Sequence, residues 1–225
     1  MSLSPRHCEI RCPLAVFARF AVRIVSQFPM PIWIGDHLIV ASVADAEYIR
    51  QDPRAILLQA GQAFGTGTHP TTQMCLLELL AHLQAGDRAV DVGTGSGILA
   101  LAAAKLGAER VVAIDKDVSA CRTAQANAHR NGLAKVVTVV AGTPDVLGPA
   151  AGFALVLANL ESAVDGRQWL PTLARLCRVG GKIILSGFQP PGEGLVVAPL
   201  RELSLAQLAR RTQGGWITLV LGKTA

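Results

Sequence analysis

Ala89-Val90-Asp91-Val92-Gly93-Thr94-Gly95-Ser96-Gly97-Ile98-Leu99-Ala100 is the stretch from which the rest of the chain can be read. Its first four residues suit a buried strand. The alternating glycines then let the backbone turn sharply and approach a ligand, and an apolar helix follows from Ser96 to Leu106. Further alternation extends from this unit. Arg110 to Asp115 reads as a strand, Val118 to Arg130 as a helix, and Lys135 to Ala141 and Phe153 to Ala158 as strands. Asn131-Gly132 closes the second helix with residues that tolerate left-handed geometry. A helix near Trp169 to Cys177 precedes Gly180-Gly181 and a strand from Lys182 to Ser186. Strands alternating with helices predict an α/β fold with a parallel sheet covered on both faces. Trp216 to Leu221 is expected as a buried terminal strand, and Leu203 to Arg211 as either its antiparallel partner or a short helix.

Asp115 ends the strand after the glycine turn. A carboxylate there can accept hydrogen bonds from both hydroxyls of a ribose, so turn and acid together point to a nucleoside-containing cofactor. Two cofactors fit. Gly95-Ser96-Gly97-Ile98-Leu99-Ala100 satisfies the dinucleotide pattern G-x-G-x-x-A, which admits NAD. Asp91, Gly93, Gly95 and Gly97 satisfy the acid-plus-glycine pattern of S-adenosylmethionine (AdoMet) sites. A carboxylate by the turn repels a pyrophosphate but can orient a zwitterionic amino-acid tail, which favours AdoMet. Asp91 can equally cap neighbouring N–H groups. Asn159 follows the fourth strand and is expected to face the same crevice, towards a substrate amine or the cofactor; an Asx turn is the alternative.

Upstream, Phe64-Gly65-Thr66-Gly67-Thr68-His69-Pro70-Thr71-Thr72 reads as a glycine loop feeding a helix, with Pro70 at the first helical position. Cys75, Leu76, Leu79, Leu80 and Leu83 recur at helical spacing after it. Set before Asp91 to Gly97, Asp115 and Asn159, the loop reads as a lid over the cofactor that carries Thr68 and Thr72; a capped helix start after a flexible turn is the alternative. His69 reads as a helix cap, with a catalytic base as the alternative.

Bulk properties set limits. The chain has 225 residues and a net charge of +5, with Lys and Arg spread along it rather than blocked. No apolar run approaches the roughly 18 residues that cross a bilayer. The 5 cysteines include no C-x-x-C pair, which argues against zinc and a disulfide framework and for a reduced, cytoplasmic setting. We divide the chain into a basic segment over 1–29, a short β-rich lead-in over 30–62 and a catalytic domain over 63–225. The basic segment sets Arg6, Arg11, Arg19 and Arg23 against Glu9 alone.

Together these motifs resemble the ribosomal protein L-eleven methyltransferase family of class I AdoMet enzymes. The likeness runs from about Phe28 to the C-terminus. It is carried by Phe64 to Thr72, Asp91 to Ala100, Lys105-Leu106-Gly107-Ala108, Ala113-Ile114-Asp115, Asn127-Ala128-His129-Arg130-Asn131-Gly132, Ala158-Asn159 and Leu185-Ser186-Gly187. The resemblance implies a Rossmann-like class I fold, with a mostly parallel seven-stranded sheet and an antiparallel C-terminal strand. It implies cofactor contacts at Thr72, Gly93, Asp115 and Asn159. It also implies methylation of protein amines, on lysine side chains or an N-terminal α-amine of a large-subunit ribosomal protein.

Two departures bear on the substrate. About 28 residues precede the matching region, too few for the family's N-terminal recognition domain. The family's usual Asn-Ile-Leu-Ala is Asn159-Leu160-Glu161-Ser162 here. A methyltransferase with a changed protein or small-molecule substrate is therefore one alternative, and a degenerate AdoMet-binding module another. Asn159 is not followed by Pro-Pro-Tyr, which argues against the glutamine- and adenine-methylating types. The sequence carries no nucleic-acid-binding motif.

Overall fold

The computed structural model describes residues 31–43, 49–59, 67–148, 152–160 and 162–225. The basic segment over 1–29, Phe64 to Thr66 of the glycine loop and Glu161 lie outside them.

Two sheets form. In the small one, β1 (Ile32–Ile34) and β2 (Leu38–Ser42) are antiparallel, and β3 (Ala55–Leu58) runs parallel to β2. The β-rich lead-in thus opens with a hairpin, because Gly35 turns with φ 55°.

The large sheet uses β4 (Arg88–Val92), β5 (Arg110–Asp115), β6 (Val137–Ala141), β7 (Phe153–Asn159), β8 (Cys177–Phe188), β9 (Leu205–Gln213) and β10 (Trp216–Lys223). Their order is β6-β5-β4-β7-β8-β10-β9. Only β10 runs against the rest, being antiparallel to both β8 and β9. This is the mostly parallel seven-stranded sheet expected from the resemblance, and Leu203 to Arg211 resolves as strand rather than helix.

The chain order changes direction between β4 and β7. In sheets of this kind that point opens a crevice at the carboxyl ends of the strands, where ligands bind.

Alternating side chains feed two cores. Ala89, Leu155, Leu157, Ile184 and Val220 pack with α1 (Pro70–His82) and α2 (Ile98–Lys105). Val90, Val156, Ala158, Ile183, Leu185 and Leu219 join the core of α4 (Ala163–Leu176) and α5 (Pro190–Val197). Buried on both faces, these strands read as continuous apolar runs. The first core also takes in Ile34, Val40 and Ile56, so the small sheet packs onto it.

Two boundaries and one added helix differ from expectation. α4 starts at Ala163, well before Trp169, because Ser162 caps it by accepting from the Asp165 N–H at 3.2 Å. Cys177 opens β8 instead of closing that helix, and β8 runs through Gly180-Gly181 without turning away. The register shift between Phe153 and Leu155 accounts for the glycines: a Cβ on Gly181 would lie 2.8 Å from Cys177 Sγ and 3.0 Å from the Ala154 carbonyl. α5 has no counterpart in the sequence reading, since Pro190 to Val197 carries neither a helical apolar stripe nor a side-chain cap.

Candidate active site

A cavity of about 460 Å³ opens at the carboxyl ends of β4, β5 and β7. Its floor is the glycine turn. Gly93, Gly95 and Gly97 have φ of 72°, 55° and 84°, so each alternate position sits in the left-handed region that side chains disfavour. The Gly93 and Thr94 N–H groups both donate to the Ile114 carbonyl, at 2.9 and 3.1 Å. Gly93 and Gly95 line the cavity.

Asp115, at the tip of β5, also lines it. Its Oδ2 accepts from the Gly95 N–H at 2.9 Å and its Oδ1 from the Asp117 N–H at 3.0 Å. Lys116 and Asp117 stand beside it, and Gly142, Thr143 and Pro144 line the wall after β6.

Asn159 ends β7 and faces the same space. Its Nδ2 donates to Thr72 Oγ1 at 3.4 Å. Thr72 itself is only 1% exposed and does not line the cavity, so it reaches the site through the Asn159 amide. Thr68 is exposed and also stands off the cavity; its carbonyl accepts from Gln73 Nε2 at 3.3 Å.

Asp91 departs furthest from a ligand-facing acid. It is 1% exposed and lies beneath the turn instead of lining the cavity. Its Oδ2 accepts from the Thr94 hydroxyl at 2.6 Å and from the Ala100 N–H at 3.2 Å. Oδ1 is buried without a hydrogen-bond partner. Burial, reinforced by the Asp115 charge, pushes the Asp91 carboxyl up to about 6 against the pull of those two bonds. The capping role is thus the one its position supports directly.

His69 caps α1: Thr71 donates its N–H to Nδ1 at 3.4 Å, and the Thr71 hydroxyl lies 2.7 Å from the same nitrogen. The His69 ring meets Trp216 edge-on, with centroids 5.0 Å apart. His69, Thr71 and Trp216 form one wall of the cavity, and Leu160, Asp165, Trp169 and Gly187 add to its lining. Two of the chain's 3 tryptophans therefore face one cavity, which the sequence reading did not anticipate. The scarcity of tryptophan was the available signal, together with the Gly214-Gly215 hairpin that delivers Trp216. Gly187 has φ 101°, and a Cβ there would fall on the Leu160 carbonyl oxygen.

Among the described residues, no group of His, Cys, Asp and Glu is placed to hold a metal, and no helix is long and apolar enough to cross a membrane.

Comparisons with known proteins bear on the family and the fold. The family model described as ribosomal protein L11 methyltransferase (PrmA) matches residues 23–224. The ribosomal protein L11 methyltransferase of Pelotomaculum thermopropionicum is 42% identical over 194 residues, covering 86% of this chain and 62% of that protein. Its counterpart in Geobacter sulfurreducens is 41% identical over 195 residues, covering 86% and 63%. The chain thus spans about three fifths of the length of these curated relatives. A crystal structure of ribosomal protein L11 methylase from Lactobacillus delbrueckii subsp. bulgaricus superposes with a TM-score of 0.76 at 30% identity, over 85% of this chain and 97% of that one. A SAM-dependent O-methyltransferase from Thermotoga maritima shares the fold alone, with a TM-score of 0.59 at 15% identity and coverage of 70% and 66%.

Proposed function

The chain belongs to the ribosomal protein L11 methyltransferase family, and from that membership we propose that it transfers methyl groups from AdoMet to amines of a protein substrate. The observation that carries this reading is the single cavity in which the glycine turn, Asp115 and Asn159 meet. The residues fit the cofactor. Asp115 stands at a strand tip with its carboxylate facing the cavity, where ribose hydroxyls can donate to it. Gly93 and Gly95 leave the floor free of side chains. When bound there, AdoMet supplies an electrophilic methyl group on a sulfonium.

The chain's own residues bind and orient. Asn159, its amide nitrogen turned to Thr72, is the catalytic residue of this reading and holds the acceptor amine beside the turn. Trp216, with the His69 ring edge-on to it, forms a wall for the acceptor's stem. The acceptor must arrive neutral. At pH 7 that costs about 4–5 kcal/mol for a lysine and about 1–1.5 kcal/mol for an α-amine. Positioning is the main contribution, and the proton leaves to water.

The substrate class is a lysine side chain or N-terminal α-amine of a protein, and the partner is a large-subunit ribosomal protein, met in the cytoplasm. Residues 63–225 are the methyltransferase domain and 30–62 its lead-in.

Titration calorimetry with AdoMet and with NAD tests the cofactor; NAD binding without an AdoMet signal overturns the reading. Incubation with methyl-labelled AdoMet and ribosomes tests the substrate, with label expected on one large-subunit protein. AdoMet binding with no labelled band would instead favour the binding-module alternative.

A further inference from the structure

Asn127 is fully buried, and its amide is committed on both sides. Oδ1 accepts from the Gln59 N–H at 3.0 Å and from the Arg130 guanidinium at 3.1 Å. Nδ2 donates to the Ser96 carbonyl at 2.9 Å. Two donors on one side and an acceptor on the other fix which way round the amide sits.

Asn131 lies one turn later on α3 (Val118–Arg130 and its cap). It pairs with Leu57 in both directions: Oδ1 accepts from the Leu57 N–H at 2.8 Å, and Nδ2 donates to the Leu57 carbonyl at 2.9 Å. Leu57 and Gln59 are two residues apart, so they present the same edge. β2 occupies the other edge of β3. The two asparagines therefore stand in for a neighbouring strand on the open edge of β3.

Of the two asparagines, Asn127 is the one that continues from that edge to the glycine turn. Ala124, one turn earlier on α3, supports the turn from the same side: a Cβ on Gly97 would lie 3.1 Å from Ala124 Cβ.

We propose that Asn127 is a positioning residue for the cofactor site. It holds the Ser96 carbonyl, and with it the adjoining Gly95 N–H that donates to Asp115, in the geometry the cofactor meets. It also ties that turn to β3. This rests on the AdoMet reading for its ligand, though not for the geometry.

Asn127→Asp keeps an acceptor for Gln59 and Arg130 but sets a second carboxylate oxygen against the Ser96 carbonyl. Asn131→Asp makes the same chemical change on the β3 edge and against the Asn127 backbone carbonyl, to which Asn131 Nδ2 also donates at 2.8 Å, and leaves the Asn127 amide and its bond to the turn in place. Asn127→Ser, smaller and neutral, serves if the aspartate variant does not fold. Two readouts apply: hydrogen exchange of the amides from Gly93 to Gly97 in the ligand-free protein, and AdoMet dissociation constants by calorimetry. Both Asn127 variants are expected to speed exchange at the turn and raise the AdoMet Kd by about 10-fold, the size of one buried hydrogen bond. Asn131→Asp is expected to lower Tm while leaving turn exchange and Kd within about two-fold of the parent. Parent-like exchange at the turn in the folded Asn127 variants overturns the proposal, as does equal loosening in Asn131→Asp. If the parent protein binds no AdoMet, the cofactor reading fails, and the exchange comparison still decides the role of Asn127.

Discussion

Asp91→Asn separates the charge of a buried carboxylate from its hydrogen bonding. In the folded protein burial raises the Asp91 pKa from 3.8 to about 6. The native state therefore binds this proton more tightly than the unfolded chain does. Below about pH 3.8 Asp91 is protonated in both states, and its contribution to stability is fully present. As pH rises towards 6 the unfolded chain ionises first, and that contribution is lost; above 6 the penalty is constant. At 1.36 kcal/mol per pH unit, the whole displacement is worth about 3 kcal/mol. Asparagine keeps an oxygen towards Thr94 and Ala100 and cannot ionise, but its buried amide N–H groups cost about 1–3 kcal/mol. That cost does not vary with pH. Urea unfolding of both ligand-free proteins between pH 4 and pH 7.5 should therefore show the variant gaining about 2–3 kcal/mol on the parent as pH rises. For a chain of this length, that is a relative Tm gain of roughly 5–10 °C. An offset that stays flat across the range would refute the idea that Asp91 is held charged at a cost.

Asp115→Ala removes the acceptor of the Gly95 and Asp117 N–H groups as well as the proposed ribose ligand, and should weaken AdoMet about 100-fold or more by calorimetry; unchanged affinity would count against the ribose role. Gly187→Ala drives a Cβ into the Leu160 carbonyl, next to Asn159. It should cost about 2 kcal/mol in denaturant unfolding and lower kcat more than it raises the KM for AdoMet; a parent-like variant would mean that this segment yields freely. Glu78 is buried between Arg211, at 2.7 Å, and His82, at 3.3 Å. Burial opposes its ionisation, but the hydrogen bonds from His82 and Arg211 win and hold it below the ordinary 4.5. Its stabilisation is thus present above pH 4.5 and lost as pH falls through the lowered value. Glu78→Gln should flatten that acid limb and cost about 2 kcal/mol at pH 7, and an acid limb as steep as the parent's would exclude Glu78 as its source.

What could be read from sequence was the part governed by local rules. All three glycines of the turn adopt positive φ, as a G-x-G-x-G pattern demands. Asp115 and Asn159 close their strands, so strand length alone delivers them to the crevice. What escaped depended on packing partners remote in sequence. Asp91 carries two readings in the sequence, ligand-orienting acid and cap, and the choice between them follows from its place in β4, flanked on both sides by β5 and β7. Trp169 lies on α4, and no pattern within that helix says that its face meets the loop after β6. Gly180-Gly181 looks like a turn until the register shift against β7 shows two glycines absorbing a bulge.

The contrast between the two aspartates shows how the site is built. β4 and β5 pair with Asp91 opposite Ala113 and Val92 opposite Ile114. Asp115 is therefore one register step beyond the end of β4, while Asp91 is one step short of it. That separation of about 7 Å along the strands decides which acid faces the cavity and which is sealed beneath it. Both nevertheless grip the same turn. Asp91 takes the Thr94 hydroxyl, Asp115 takes the Gly95 N–H, and Asn127 takes up the Ser96 carbonyl. Three consecutive residues are thus fixed by side chains from β4, β5 and α3. A turn of glycines would otherwise be the most mobile part of the sheet edge, and a ligand would have to order it on binding. Here side chains of the fold itself bond to that turn. The buried charge of Asp91 is then intelligible as a stability cost retained because a carboxylate holds Thr94 and Ala100 more strongly than a neutral acceptor.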